Sequence, residues 1–178
     1  MKTPSIVLSL ALLVGMALPA SAAPLASQLG LWSLDFYTSS KEAQAEVDAR
    51  IKKDFIPVSI EVNKDQGLAV FYIKNFGTVR PKARIDQVPL AKLGPTLNEL
   101  IKNQWLPQDV CFRGDTTYVL SLEDAGSIGV QGAIVDSIND VSTIQKDLKN
   151  WAEKGYVPMG LSIDNNIVRT LVLKDSRS

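Results

Sequence analysis

The sequence predicts an α+β fold made of three tandem βαββ repeats, and three observations predict it. An aromatic–aliphatic–proline anchor recurs as Phe55-Ile56-Pro57, Trp105-Leu106-Pro107 and Tyr156-Val157-Pro158, with the prolines 50 and 51 residues apart. Before each anchor, apolar residues fall four apart. After each anchor they alternate with polar ones. A change from helical to two-residue periodicity at the same place three times marks a repeated supersecondary unit.

The chain opens with a leader. Met1-Lys2 supplies a positive start, Ile6 to Leu18 is apolar apart from Ser9 and Gly15, and Ala20-Ser21-Ala22 is a small-residue cleavage site. This composition predicts a signal peptide over residues 1–22. The apolar run is too short for a comfortable bilayer span, which needs about 20 residues, and no cysteine follows it as a lipoprotein would require. The expected mature chain, 23–178, is one domain of three repeats at about 30–75, 80–124 and 130–174.

Each repeat begins with a strand: Trp32–Tyr37, Ala83–Val88 and Ala133–Ile138. A helix follows, its stripe formed by Ala43, Val47 and Ile51, then Leu93, Leu97 and Ile101, then Ile144, Leu148 and Ala152. Spacing of i, i+4, i+8 is one helix face. Ser39 with Glu42 is a capping box, Asp140 is the expected third N-cap, and Gly94-Pro95 predicts a late start for the second helix, with Thr96 or Pro95 in its first turn.

Strand alternation then pairs Ile60 and Val62 with Ser59 and Glu61, Val110 and Phe112 with Asp109 and Cys111, and Leu161 and Ile163 with Gly160 and Ser162. Turns at Asn63–Gly67, Arg113–Thr116 and Asp164–Asn166 lead into return strands Leu68–Lys74, Thr117–Leu122 and Val168–Lys174, so each pair reads as a hairpin. Asn75–Lys82 and Asp124–Gly132 are the linkers. A single unit cannot cover its own apolar stripe, so neighbours must share a core. All three stripes are equally apolar and no unit is a polar cap. This favours a closed pseudo-threefold curved or barrel-like sheet with three helices packed on one side over an open stack.

The stretch from Lys41 to Lys74, a helix, then Phe-Ile-Pro-Val-Ser-Ile, a turn and a strand, resembles the bacterial tandem repeat domain. That βαββ module is also found beside the β-lactamase-like domain of polyglycine hydrolases. The resemblance covers residues 30 to 174. The glycine usual before the aromatic is present only as Gly155, with Asp54 and Gln104 in its place elsewhere. The resemblance implies a non-catalytic accessory or recognition module.

Composition narrows the chemistry. There is no histidine, which excludes Ser-His-Asp and Cys-His nucleophile systems and His-ligated zinc. The 19 basic and 19 acidic residues balance, so neither nucleic acid nor an anionic membrane is an expected partner, and no membrane insertion is expected after leader removal. Cys111 is the single cysteine, so no internal disulfide forms.

Three groups of candidate residues remain. Asp35, Asp86 and Asp136 each sit mid-strand before a helix, and in a closed ring their carboxylates would converge on Ca²⁺ or another hard cation. The alternative is that each carboxylate accepts turn hydrogen bonds or pairs with a Lys or Arg of its own unit. The hairpin tips differ while the core columns agree, which makes Lys64 and Asp65, Arg113-Gly114-Asp115, and Asn165 and Asn166 candidate binding residues. Trp32 joins them because the other units have no counterpart. The column Phe55, Trp105 and Tyr156 reads as core, with sugar stacking as the alternative.

The expected function is therefore an exported non-catalytic binding or scaffold protein, periplasmic or extracellular. It would recognise a protein or glycan of the cell envelope or a host surface through hairpin tips and inter-repeat grooves. The alternatives are a carboxylate-dependent envelope hydrolase and a structural, oligomer-forming subunit, the last betrayed by a large exposed apolar patch.

Overall fold

The computed structural model describes residues 30–62, 67–123, 130–138, 143–164 and 167–175. The leader, Asp140 and the tip residues Lys64, Asp65, Asn165 and Asn166 lie outside the described residues, and Asp136 is described in its backbone alone.

The architecture is α+β. The first block holds β1 (Trp32–Tyr37), α1 (Ser40–Lys52), β2 (Phe55–Val62) and β3 (Leu68–Lys74). The second holds β4 (Ala83–Pro89), a 3₁₀ turn at Leu90–Lys92, α2 (Leu93–Lys102), β5 (Trp105–Arg113) and β6 (Thr116–Glu123). The third holds β7 (Val130–Ile138), α3 (Ile144–Glu153), β8 (Tyr156–Asp164) and β9 (Ile167–Asp175). Among the described residues, no helix is long and apolar enough to cross a membrane.

Within each block the three strands form one antiparallel sheet with the last strand in the middle: β1-β3-β2, β4-β6-β5 and β7-β9-β8. The expected single curved or barrel-like sheet is not what forms. There are three separate sheets, and at one edge the reason is visible. The outer edge of β4 meets helix α1 rather than another strand. Gln44 of α1 donates from Nε2 to the Ala83 carbonyl (3.0 Å) and accepts at Oε1 from the Ile85 amide (2.7 Å). A side-chain amide thus occupies two edge positions that a neighbouring strand would need. Helix α2 packs in turn on β7.

Each anchor proline lies inside a strand, and the register shifts just after it, at Pro57/Ser59, Pro107/Asp109 and Pro158/Gly160. Proline cannot donate to the ladder, so the pairing bulges there. The residue before each anchor aromatic adopts positive φ: Asp54 (64°), Gln104 (63°) and Gly155 (79°). The left-handed helix exit is thus kept even where glycine is not.

Helix α1 starts as expected, with Ser39 Oγ accepting from the Glu42 amide (3.2 Å), but the Glu42 carboxylate reaches back to the Thr38 amide (2.8 Å). Helix α2 starts earlier than expected, at Leu93, because the 3₁₀ turn feeds into it and Gly94-Pro95 fall in its first turn. Strand β7 begins at Val130, inside the expected linker.

The core is divided between the blocks. One cluster joins Ala43 and Val47 of α1 and Ile60, Val70 and Tyr72 of the first sheet to Ala83, Cys111, Tyr118 and Leu120 of the second. The other joins Leu93, Leu97 and Leu100 of α2 and Val110, Phe112 and Val119 to Leu171 and Leu173 of β9. Strand β5 is therefore buried on both faces, not half-buried as its alternation suggests. Cys111 faces one cluster while Val110 and Phe112 face the other.

Candidate functional site

Positions two residues after the anchor prolines meet where the blocks join. Asp109 of β5 accepts at Oδ2 from Ser59 Oγ (2.7 Å) and the Ile60 amide (3.0 Å) of β2, and at Oδ1 from the Val110 amide (2.9 Å). On the other side Gly160 of β8 lies so close that a Cβ there would collide with Asp109 Oδ1. Burial pushes the Asp109 carboxyl up to about 6, against the pull of its three hydrogen bonds. Ser59, Asp109 and Gly160 hold corresponding positions, so one buried carboxylate ties three sheets together.

Burial also favours the protonated form of other groups. The Cys111 thiol is pushed up by desolvation, with Glu61 and Asp109 adding to it, which disfavours the thiolate. The hydroxyls of Tyr37 and Tyr72 lie 3.0 Å apart. Burial pushes Tyr37 up to about 12 and Tyr72 up as well, so both stay protonated.

Around this tyrosine pair the first block opens a cleft of about 430 Å³ lined by Asp35, Phe36, Tyr37, Glu42, Glu46 and Arg50. Arg50 bridges Asp35 (2.7 Å) and Glu46 (3.1 Å), and its guanidinium lies over the Phe55 and Tyr72 rings. The positions of Arg50 and Tyr37 are Leu100 and Val88 in the second block, so this polar cluster belongs to the first block alone.

Beside the cleft lies an apolar face. Trp32, Leu34 and Phe36 of β1 share one side of the first sheet with Ala69, Phe71 and Ile73 of β3. Trp32 and Phe71 stack with ring centroids 5.9 Å apart. The corresponding side of the second sheet, built by Ala83, Ile85, Tyr118, Leu120 and Leu122, carries α1. The side in the first sheet is open, with Leu34 46% and Phe36 62% exposed.

The residues singled out from sequence are placed as follows. Trp32 lies in this face. Arg113 turns back from its hairpin, donating from Nη2 to the Gly67 carbonyl (2.9 Å) and covering the Tyr118 ring, while Gly114 takes the positive φ (54°) of the turn. Asp115 bonds through its carbonyl to the Leu90 amide (2.7 Å), tying the tip to the 3₁₀ turn. Asp35 and Asp86 lie in separate sheets, each ion-paired within its own block, Asp35 to Arg50 and Asp86 to Arg84. No group of three acidic, Cys or His side chains that could hold a metal occurs among the described residues. The anchor aromatics are half-buried, and each has a cation near its ring: Lys74 at Phe55, Arg84 at Trp105 and Lys174 at Tyr156.

Two features escaped sequence reasoning. The Ser59–Asp109–Gly160 meeting was signalled by identical offsets from the prolines, but unlike residue types concealed it. The open face was signalled by Leu34 and Phe36, where the second block has Ile85 and the polar Gln87. No family model, curated protein or solved structure matches the chain.

Proposed function

We propose that this chain is an exported, non-catalytic binding scaffold of three repeated βαββ units, and that its first sheet is the recognition surface. The observation that carries this reading is the open apolar face of Trp32, Leu34, Phe36 and Phe71, lying beside the free edge of β1 and the Asp35–Arg50 cleft. An exposed apolar patch beside a strand edge suits a protein element. The leader supports export to the periplasm or beyond. The helix–anchor–hairpin pattern supports kinship with the bacterial tandem repeat domain.

The meeting of Ser59, Asp109 and Gly160 supports a pseudo-threefold set of units, two of whose junctions are made within the chain. The binding surface moves accordingly, from the hairpin tips and grooves to the first sheet. Its apolar side chains and its strand edge favour a protein ligand over a glycan.

The test is capture from an envelope extract by the wild-type chain, by Phe36→Asp and by Asp115→Ala. A protein retained by wild type and Asp115→Ala but lost by Phe36→Asp supports the reading. Capture insensitive to Phe36→Asp, or of polysaccharide alone, contradicts it.

A further inference from the structure

We infer that the open face of the first sheet is filled by helix α3 of a second copy of this chain, repeating between copies the junction that α1 makes with the second sheet. This rests on reading that face as the recognition surface, and it names the partner.

The established junction is the template. Ala43 and Val47 of α1 are wholly buried in the cluster that contains Ala83, Tyr118 and Leu120 of the second sheet, α1 packs on β4, and Gln44 clamps the β4 edge at Ala83 and Ile85. Leu97 of α2, at the position of Val47, is likewise wholly buried in the cluster that contains Leu171 and Leu173 of the third sheet. Helix α3 packs on its own β8, and none of its residues is fully buried. Its stripe residues Ile144 and Leu148 are half-buried and Ala152 is exposed. Among the described residues, one helix thus lacks a second sheet and one sheet lacks a helix.

The two vacancies match in detail. Gln145 stands thirteen residues before Pro158, as Gln44 stands thirteen before Pro57, and Gln145 is exposed on α3. The register of β1 on β3 repeats that of β4 on β6. Trp32 and Leu34 pair with Ile73 and Phe71 as Ala83 and Ile85 pair with Leu122 and Leu120. In both blocks the residue just before this pair turns its carbonyl inward, Leu31 to the Lys74 amide and Lys82 to the Glu123 amide. The Trp32 carbonyl and Leu34 amide therefore point outward, ready for an amide side chain. Large and small residues exchange places across the face: Trp32 stands where Ala83 does, and Ala69 where Tyr118 does.

Such an interface is heterologous, because each copy donates α3 at one end and receives at the other. It extends into chains, or closes if the rotation allows.

The test is sedimentation velocity of the chain after leader removal, from low to high micromolar concentration, with Phe36→Asp and Gln145→Arg. Both substitutions are at exposed positions, and unchanged circular dichroism verifies folding. Wild type is expected to pass from monomer to dimer and larger species as concentration rises. Each variant alone stays monomeric. Their equimolar mixture forms a dimer and nothing larger, since only one intact α3 and one intact first sheet remain. A wild type that is monomeric throughout overturns the inference, whether its own α3 or a foreign protein covers the face, as does a mixture that stays monomeric. If wild type is monomeric yet still captures a protein through Phe36, self-association fails while the recognition surface stands.

Discussion

Strands β1 and β4 hold the same place in their sheets and pair with their neighbours in the same register, yet one edge is covered and the other bare. Against β4 lies a helix whose Gln44 satisfies an amide and a carbonyl. Against β1 no helix among the described residues packs in that way. The lesson is that a strand's own sequence does not decide whether its edge is a liability. What decides it is whether a helix packs against that edge, as α1 does against β4. Leu34 and Phe36 stay exposed on β1, in the face that a second copy's α3 is inferred to fill.

The largest expected effect comes from truncating the same stripe position in a covered and an uncovered helix. Leu97→Ala removes a wholly buried side chain and is expected to cost about 3 kcal/mol in urea unfolding. Leu148→Ala, at the corresponding position of α3, is expected to cost under about 1.5 kcal/mol in dilute solution, because that side chain is only half-buried. Equal costs would mean that α3 is as well covered as α2.

Next comes pH dependence at the made junctions. Asp109 titrates near 6 in the folded chain against 3.8 as its ordinary value, so the folded state holds its proton more tightly than the unfolded state. Its contribution is fully present below about pH 4, is lost as pH rises to about 6, and is flat above, a difference of about 3 kcal/mol. Asp109→Asn is expected to flatten that part of the stability–pH curve. An unchanged slope would place the titration elsewhere.

Smaller is the edge clamp. Gln44→Ala leaves the Ala83 carbonyl and Ile85 amide without their partner and is expected to cost about 1–2 kcal/mol. Gln145→Ala is expected to leave dilute stability unchanged and to weaken association. Smallest is the left-handed position: Gln104→Gly is expected to gain about 0.5 kcal/mol by relieving positive φ, whereas Gly155→Ala loses about 1 kcal/mol. Thermal unfolding of the two variants checks the opposite signs.

How much of this was legible in the sequence depends on range. Local features were readable: the helix stripes, the Ser39 cap and the hairpin at Arg113–Thr116 follow from periodicity and turn chemistry within a few residues. The blocks were visible through their anchors because a proline in a strand repeats its bulge wherever it occurs. What lay against each strand was not legible. Cys111 alternates as though on a solvent face, and only the packing of the first block, with β2 lying against β5, shows it to be core. Asp109 looks like an ordinary polar strand residue until Ser59 and Gly160 close over it. At the β4 edge the place of a neighbouring strand is taken by Gln44, whose edge-clamping role no helical periodicity reveals.

Amide hydrogen exchange at Leu34 and Ile85, followed from dilute to concentrated protein, tests the difference between the two edges most directly. Ile85, bonded to Gln44, should be protected at every concentration. Leu34 should exchange freely when the protein is dilute and become protected as it is concentrated. Protection of Leu34 at all concentrations would contradict the open face, because the chain itself would then be covering β1.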